Sequence, residues 1–370
     1  MIIGESFSLP GKLRNVLVIQ LGDIGDVVWS LPAFQAVCAA LPRAEIFLLV
    51  RKGIGSLLEA DPAITGIFEV ERYPGNIVER LMRQIPFLVR IRKVRFGLVF
   101  DLRSDERGAF MARWTGAPYR ASLWAATAPW YRNRLFTHLV YPTNENIRVR
   151  LGASEQTLRI VRQFGIPTPE TTPRLALSPT AVDHMKDALA ARDILAEGEG
   201  KNGGPRGFVT ISPFSRWAYK EWPLERWSEI AAWLGREYGL ISVLVGAAGE
   251  RARAEELVKT TSGVLFNLAG ETTLGELAAL LSLSRLHVGV DSAAPHIAAA
   301  VGTPTITIYG PSDWRDWAPV GDKHQVVTSE MDCSPCHRKG CEGSGRSRCL
   351  ENIPVERVRE AIKKKFLPPR

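Results

Sequence analysis

The sequence predicts an α/β protein built from two doubly wound parallel-sheet domains. Three observations point there. Candidate strands are short, uninterrupted runs of branched aliphatic residues, such as Val16–Leu21, the pattern of strands buried on both faces of a sheet. These runs alternate with segments of helical period, which is the grammar of βαβ units. The alternation also stops once, in a Pro- and Gly-rich stretch from Gly165 to Gly207, and then starts again. A chain of 370 residues fits two domains better than one.

The elements follow in order. Val16–Leu21 is a strand that ends at Gly22, after which Val27, Val28, Leu31, Phe34 and Val37 recur at helical spacing to about Leu41. Glu45–Val50 is the next strand, followed by a short helix near Ser56–Ala60 and a strand at Ile64–Val70. A basic helix then leads into the strand FGLVFDLR. The Trp- and Arg-rich segment SLWAATAPWYRNRLFTHLVYPTNEN interrupts the alternation as an excursion, and Leu151–Phe164 is a helix. In the second half GFVTIS, ISVLVG, VLFNLAG, LHVGV and TPTITIYG are strands, with helical segments between them. The expected organisation is a domain over residues 1–170, a linker over 171–206 and a second domain over 207–370.

Composition narrows the function classes. With 45% hydrophobic and 23% charged residues, the chain reads as a globular protein, and charges interrupt every apolar run before it reaches spanning length. The start, MIIGESFSLPGK, lacks the basic n-region and apolar core of a signal peptide, so a cytoplasmic location is expected. The net charge of +8 is uneven: residues 1–170 hold 22 Lys and Arg against 15 Asp and Glu. Arg72, Arg80, Arg83, Arg90, Arg92, Lys93 and Arg95 are interleaved with Ile, Leu, Phe and Val. That pattern suits an anionic acceptor or a lipid headgroup region, and equally a solvated helix face. No nucleic-acid-binding motif accompanies the charge, so no nucleic-acid partner is expected.

Four loops carry residue types suited to chemistry. In LGDIGD, Asp23 and Asp26 stand at a strand-to-helix turn, where a carboxylate either caps the helix or faces a ligand crevice. ISPFSRWAYKEWP offers Ser212, Ser215 and Lys220 to phosphate oxygens, or serves as a surface loop. In VGAAGE, Glu250 either accepts the hydroxyls of a ribose or complements a helix dipole. In VGVDSAAPHIAAAVG, Asp291 caps a helix whose first turn is nearly free of side chains. The N–H groups of Ser292, Ala293 and Ala294 would then meet a diphosphate, with His296 close by. The sequence has no GxxxxGK[ST], no GxGxxG in its first strand–helix turn, no Asp-x-Asp, no HExxH and no GxSxG. P-loop chemistry, dinucleotide redox chemistry and serine hydrolysis therefore lack support.

Taken together, LGDIGDVVWSLPA, SRWAYKEWP, the Glu of VGAAGE and DSAAPHIAAAVGTPTITIYGPSD resemble the ADP-heptose:lipopolysaccharide heptosyltransferases, glycosyltransferase family 9, from about residue 15 to 360. The resemblance implies a GT-B fold, with the acceptor on the first Rossmann-like domain, ADP-heptose on the second, and a cleft between them. It implies inversion at the anomeric carbon without a required metal or other cofactor, and Asp26 as general base. Lys220 matches the family's lysine beside the sugar-linked phosphate, Ser212 or Ser215 its neighbouring hydroxyls, and Glu250 its ribose carboxylate. Asp291 to His296 match the diphosphate loop, with Ala293 in place of the usual Gly.

An anionic lipopolysaccharide core acceptor would give the basic first half a partner, at the inner face of the cytoplasmic membrane. Gly25, Arg72, Arg103 and Arg120 are its candidate contacts. Cys333, Cys336, Cys341 and Cys349 follow a C-x2-C-x4-C-x7-C spacing, and a similar Cys-bearing loop marks relatives resembling the second heptosyltransferase of inner-core assembly. They could hold a structural metal, stay reduced or pair once in air. Two alternatives remain at this level: a glycosyltransferase of the same fold using a UDP- or GDP-sugar, and a non-catalytic nucleotide-binding protein.

Overall fold

A computed structural model describes the chain except for residues 5, 72–75, 142–152, 196–206, 262 and 367–370. It divides into two compact units, Met1–Leu175 and Ala176–Arg370.

The first unit runs β1 (Ile2–Gly4), β2 (Asn15–Ile19), α1 (Ile24–Ala40), β3 (Glu45–Arg51), β4 (Gly66–Val70), α2 (Ile77–Lys93), β5 (Leu98–Asp101), α3 (Glu106–Trp114), β6 (Tyr119–Leu123), α4 (Trp130–Arg134), β7 (His138–Val140) and α5 (Glu155–Arg162). Its seven strands are all parallel, in the order β1-β7-β6-β5-β2-β3-β4. From β2 the chain builds outward through β3 to β4, then returns to place β5 on the other side of β2. The order reverses between β2 and β5. Because βαβ crossovers are right-handed, that reversal puts α1 on one face of the sheet and α2, α3 and α4 on the other. Contacts agree: α1 packs on α5, whereas α3 packs on α4. Val16, Leu17, Val18 and Ile19 of β2 are buried, as a strand covered on both faces requires.

The second unit runs α6 (Pro179–Ala190), β8 (Phe208–Ser212), α7 (Leu224–Tyr238), β9 (Ile241–Leu244), α8 (Arg251–Lys259), β10 (Leu265–Asn267), α9 (Leu274–Leu283), β11 (His287–Val290), α10 (Ala293–Ala300), β12 (Thr305–Tyr309), α11 (Trp314–Trp317), β13 (His324–Thr328), α12 (Arg348–Glu351) and α13 (Val355–Phe366). Its six parallel strands take the order β10-β9-β8-β11-β12-β13, so this sheet reverses between β8 and β11. The buried Trp222 and Trp227 meet edge to face at 5.2 Å, and Trp222 Nε1 donates to Ile353 O at 3.0 Å.

Three features differ from the sequence reading. The segment read as an excursion supplies α4 and β7, and β7 pairs with β6 inside the sheet. Its Trp and Arg residues obscured a strand of only three residues. The stretch 171–206 is not a linker throughout. Its Ser178-Pro179 start caps α6, which packs on α9 through Met185 and Leu189. The edge strands β1 and β13 were missed because they are half exposed and lack a continuous apolar run.

One buried charge stands out. Asp101, at the end of β5, is fully buried with Arg132, whose guanidinium lies 3.9 Å away and donates to Ser122 Oγ at 2.8 Å. Burial pushes the Asp101 carboxyl from 3.8 up to about 7, with Asp105 reinforcing and Arg132 opposing the change. A raised carboxyl means the native state binds the extra proton. The stabilisation is complete below the unfolded value and is lost as pH rises toward about 7. In Asp101→Asn that proton is irrelevant. The stability of the variant relative to the native chain should therefore climb between pH 5 and 7 by up to about 1.4 kcal/mol per unit and level off above, as read by urea denaturation.

Candidate functional site

Each unit gathers charged side chains where its strand order reverses, beyond the carboxyl ends of the strands. In an open parallel sheet, adjacent loops diverge there and leave a crevice for a ligand.

In the first unit the turn after β2 builds the group. Asp23 takes the N-cap position of α1 with extended backbone, and the Asp26 carboxylate reaches back to accept the Asp23 N–H at 2.8 Å. Gly22 makes room for it: a Cβ there would stand 2.5 Å from Asp26 Oδ2. Gly25 lies in the first turn of α1, between these two carboxylates. Arg103, from the loop after β5, closes on Asp26 Oδ2 at 2.9 Å across the reversal, and Arg51, at the end of β3, pairs with Asp23. Oδ1 of Asp26 accepts no hydrogen bond from a described residue. One Asp occupies the N-cap, and the other holds the turn while keeping an oxygen available.

In the second unit three neighbouring strands, β9, β8 and β11, contribute. Lys220, in a single 3₁₀ turn after β8, pairs with Asp291 Oδ2 at 2.6 Å across the reversal. Ser215 Oγ donates to the Asp291 carbonyl at 3.3 Å, and the Ser215 N–H donates to Glu221 at 3.1 Å. Glu221 is gripped by both terminal nitrogens of Arg253, whose guanidinium lies 4.6 Å from the Phe214 ring centroid. Glu250 repeats the device of the first unit. Its carboxylate accepts the Ala247 N–H at 2.7 Å, and a Cβ on Gly246 would stand 2.7 Å from it. Burial raises the Glu250 carboxyl, and Glu221 adds to this while the Ala247 N–H and Arg253 oppose it.

The structure corrects several sequence expectations. Asp291 does not cap α10; Ser292 takes that position, and the Asp291 carboxylate is held by Lys220 instead. Ala293, Ala294 and Pro295 open α10 without a polar side chain, and His296, its fourth residue, is buried. Ser212 is buried, with its hydroxyl 3.0 Å from His287 Nε2 in a chain that continues to Thr210. Burial lowers His287 to about 3, so this chain is neutral. Arg120 lies at the amino end of β6, where its guanidinium donates to the carbonyls of Leu135 and Ala117, and it does not join the group around Asp26. Arg72 lies outside the described residues.

The four clustered cysteines are free thiols, and burial pushes Cys349 up to about 11. Among the described residues no group of three or more His, Cys, Asp or Glu is placed to hold a metal ion. Instead the cysteine-bearing loop supports its neighbours: Ser347 Oγ donates to Tyr219 O at 2.7 Å, beside Lys220, and Ser334 Oγ to Gly310 O at 2.9 Å.

Sequence reasoning missed Arg51, Glu221, Arg253 and Tyr309. Tyr309, at the end of β12, is fully buried, its hydroxyl has no partner among the described residues, and burial together with Asp291 raises its pKa. Arg51 was findable as a cation ending the strand beside β2. Nothing in the sequence signals the other three.

The family model of glycosyltransferase family 9 (heptosyltransferase) matches residues 86–345. The chain belongs to that family. It is a glycosyltransferase of the GT-B fold class, with two parallel-sheet α/β domains. It is 26% identical over 334 residues to lipopolysaccharide heptosyltransferase 1 of Pseudomonas aeruginosa, covering 88% of this chain and 87% of that one. Lipopolysaccharide heptosyltransferase 2 of Escherichia coli K12 is 23% identical over 357 residues, 94% of this chain and 97% of its own. Among solved structures, a family 9 glycosyltransferase from Veillonella parvula superposes with a TM-score of 0.78 at 20% identity, covering 96% of this chain and 98% of that one. E. coli ADP-heptose lps heptosyltransferase II gives 0.75 at 21%, covering 96% and 99%. At these identities the superpositions speak for the fold.

The glycine requirement is directly testable. Gly22→Ala should cost about 1–3 kcal/mol of unfolding free energy in urea, because the Asp26 carboxylate has to move. Gly249→Ala, with nothing within 4 Å of the new Cβ, should be neutral or stabilising.

Proposed function

We propose that this family 9 glycosyltransferase moves heptose from ADP-heptose to an anionic lipopolysaccharide core acceptor, with inversion and without a metal, at the inner face of the cytoplasmic membrane. The observation that carries this reading is the pairing of opposite charges at both sheet reversals: Asp26 with Arg103, and Lys220 with Asp291. One unit offers a carboxylate with an open oxygen. The other offers a lysine beside a bare helix N-terminus.

In the reaction, Asp26 Oδ1 takes the proton of an acceptor hydroxyl as its oxygen bonds to the anomeric carbon. The bond from that carbon to the diphosphate breaks on the opposite face, and ADP carries away the electron pair. Lys220 and the first-turn N–H groups of α10 meet the charge that develops on the diphosphate, taking the part a metal plays elsewhere. Asp291 holds Lys220 in place until the phosphate arrives, and Ser215 fixes the Asp291 carbonyl. Glu250 accepts from the ribose hydroxyls. Gly25 and Arg103 lie on the acceptor side. Ser212 and Arg120, held in structural hydrogen bonds, and His296, buried in its helix, stand outside the proposed contacts.

Asp26→Asn should lower kcat for heptose transfer by about 10²–10⁴-fold while ADP binding persists, since general-base assistance is of that size. ADP and ADP-heptose, at about one hundred times their dissociation constants, should stabilise the chain by roughly 2.7 kcal/mol in thermal denaturation. UDP and GDP should not. A shift with UDP or GDP in place of ADP would overturn the donor, and full activity in Asp26→Asn would overturn the base.

A further inference from the structure

Apolar exposure in this molecule is one-sided. Among the described residues thirteen large apolar side chains are exposed, and eleven of them belong to the first unit. Six form a connected track along the outer side of the helices that cover one face of its sheet. Met82, Ile85 and Val89 follow helical spacing on α2, Phe110 and Trp114 follow it on α3, and Trp130 opens α4; they are 42 to 74% exposed. The track is continuous by contact. Trp114 Nε1 donates to Leu88 O at 3.1 Å, which seats its indole against the backbone of α2 one residue before Val89. Phe110 lies one turn before Trp114, its ring is 5.8 Å from Tyr131, and Tyr131 is 5.9 Å from Trp130.

Cations border this track. Residues 82–95 contain Arg83, Arg90, Arg92, Lys93 and Arg95 and no carboxylate, and Arg113 and Arg134 continue the border on α3 and α4. Arg92 donates to Trp114 O at 2.8 Å, and Arg134 lies 5.1 Å from the Trp130 ring centroid. Among the described residues Arg90, Arg92, Lys93, Arg113 and Arg134 form no salt bridge. At the aromatic end the Tyr131 hydroxyl donates to Glu106.

We propose that the outer face of α2, α3 and α4 docks on an anionic lipid bilayer. The apolar stripe of α2 would enter the headgroup boundary, with Trp114 and Trp130 at its level. Aromatic rings with a polar edge favour that interface, and each cation near an anionic surface adds attraction that salt screens. The charge pattern selects the bilayer over a second copy of this chain. A two-fold contact would set the same cationic border against itself, whereas anionic headgroups complement it. This inference rests on the membrane location in the proposed function and gives it a surface.

The test is flotation of the full chain with vesicles of phosphatidylcholine alone or of phosphatidylcholine with phosphatidylglycerol. Heptose transfer from ADP-heptose to detergent-dispersed acceptor is measured on the same preparations. The native chain should float with the anionic vesicles, and added salt should weaken this. Met82→Ser/Ile85→Ser/Val89→Ser should bind at least about tenfold less, because it removes the buried apolar area. Lys93→Glu/Arg113→Glu should lose the preference for anionic vesicles; it is the second readout should the first variant fold poorly. Both should keep transfer to dispersed acceptor. Absence of flotation, flotation unchanged in both variants, or a concentration-dependent dimer that the first variant abolishes would each overturn the docking face. Flotation without any transfer would leave the docking face standing and remove the heptosyltransferase reading.

Discussion

The structure depends on one local arrangement used twice: a glycine follows the end of a buried parallel strand, and a carboxylate four residues on folds back to accept the N–H that opens the next helical turn. In the first unit the residues are Gly22 and Asp26, in the second Gly246 and Glu250. The hydrogen bond satisfies a helix N–H group that would otherwise lack a partner, and glycine is required because a Cβ would occupy the space of the carboxylate. The hydrogen bond orients the carboxylate. The group is fixed beyond the carboxyl end of a strand, where an open parallel sheet binds its ligands.

What distinguishes the two turns is their surroundings. Asp26 meets Arg103 across the reversal of its sheet, in a partly open setting. Glu250 has Glu221 and Arg253 as its charged neighbours, and burial raises its carboxyl. The corresponding reversal in the second unit is bridged by Lys220 and Asp291, at the carboxyl ends of β8 and β11. Strand order therefore determines which charges face each other, and the same turn chemistry sits in two different electrostatic settings.

Buried polar groups elsewhere illustrate the opposite use of chemistry. Asp101 with Arg132, and His287 with Thr210 and Ser212, are enclosed networks that join strands to helices or to each other. Low polarity around them raises the carboxyl and lowers the imidazole, so both drift toward their neutral forms. Ser212 shows how such a network claims a residue that loop position alone would assign to a ligand.

By itself the sequence determined the strand–helix alternation and set a glycine and a carboxylate at two strand-to-helix turns, because each is written in residues within a few positions of one another. Family resemblance rested on those same local motifs in order. Only the tertiary structure decided that Asp26 meets Arg103 and that Lys220 meets Asp291, a pair 71 residues apart. Tertiary structure also sent Arg120 to the far end of its strand, turned Ser212 inward and joined the apolar residues of α2, α3 and α4 into one exposed face. The physical reason is strand order. Periodicity says that a segment is a buried strand, but which strands become neighbours, and so which loops share a crevice, is set by how the whole sheet packs.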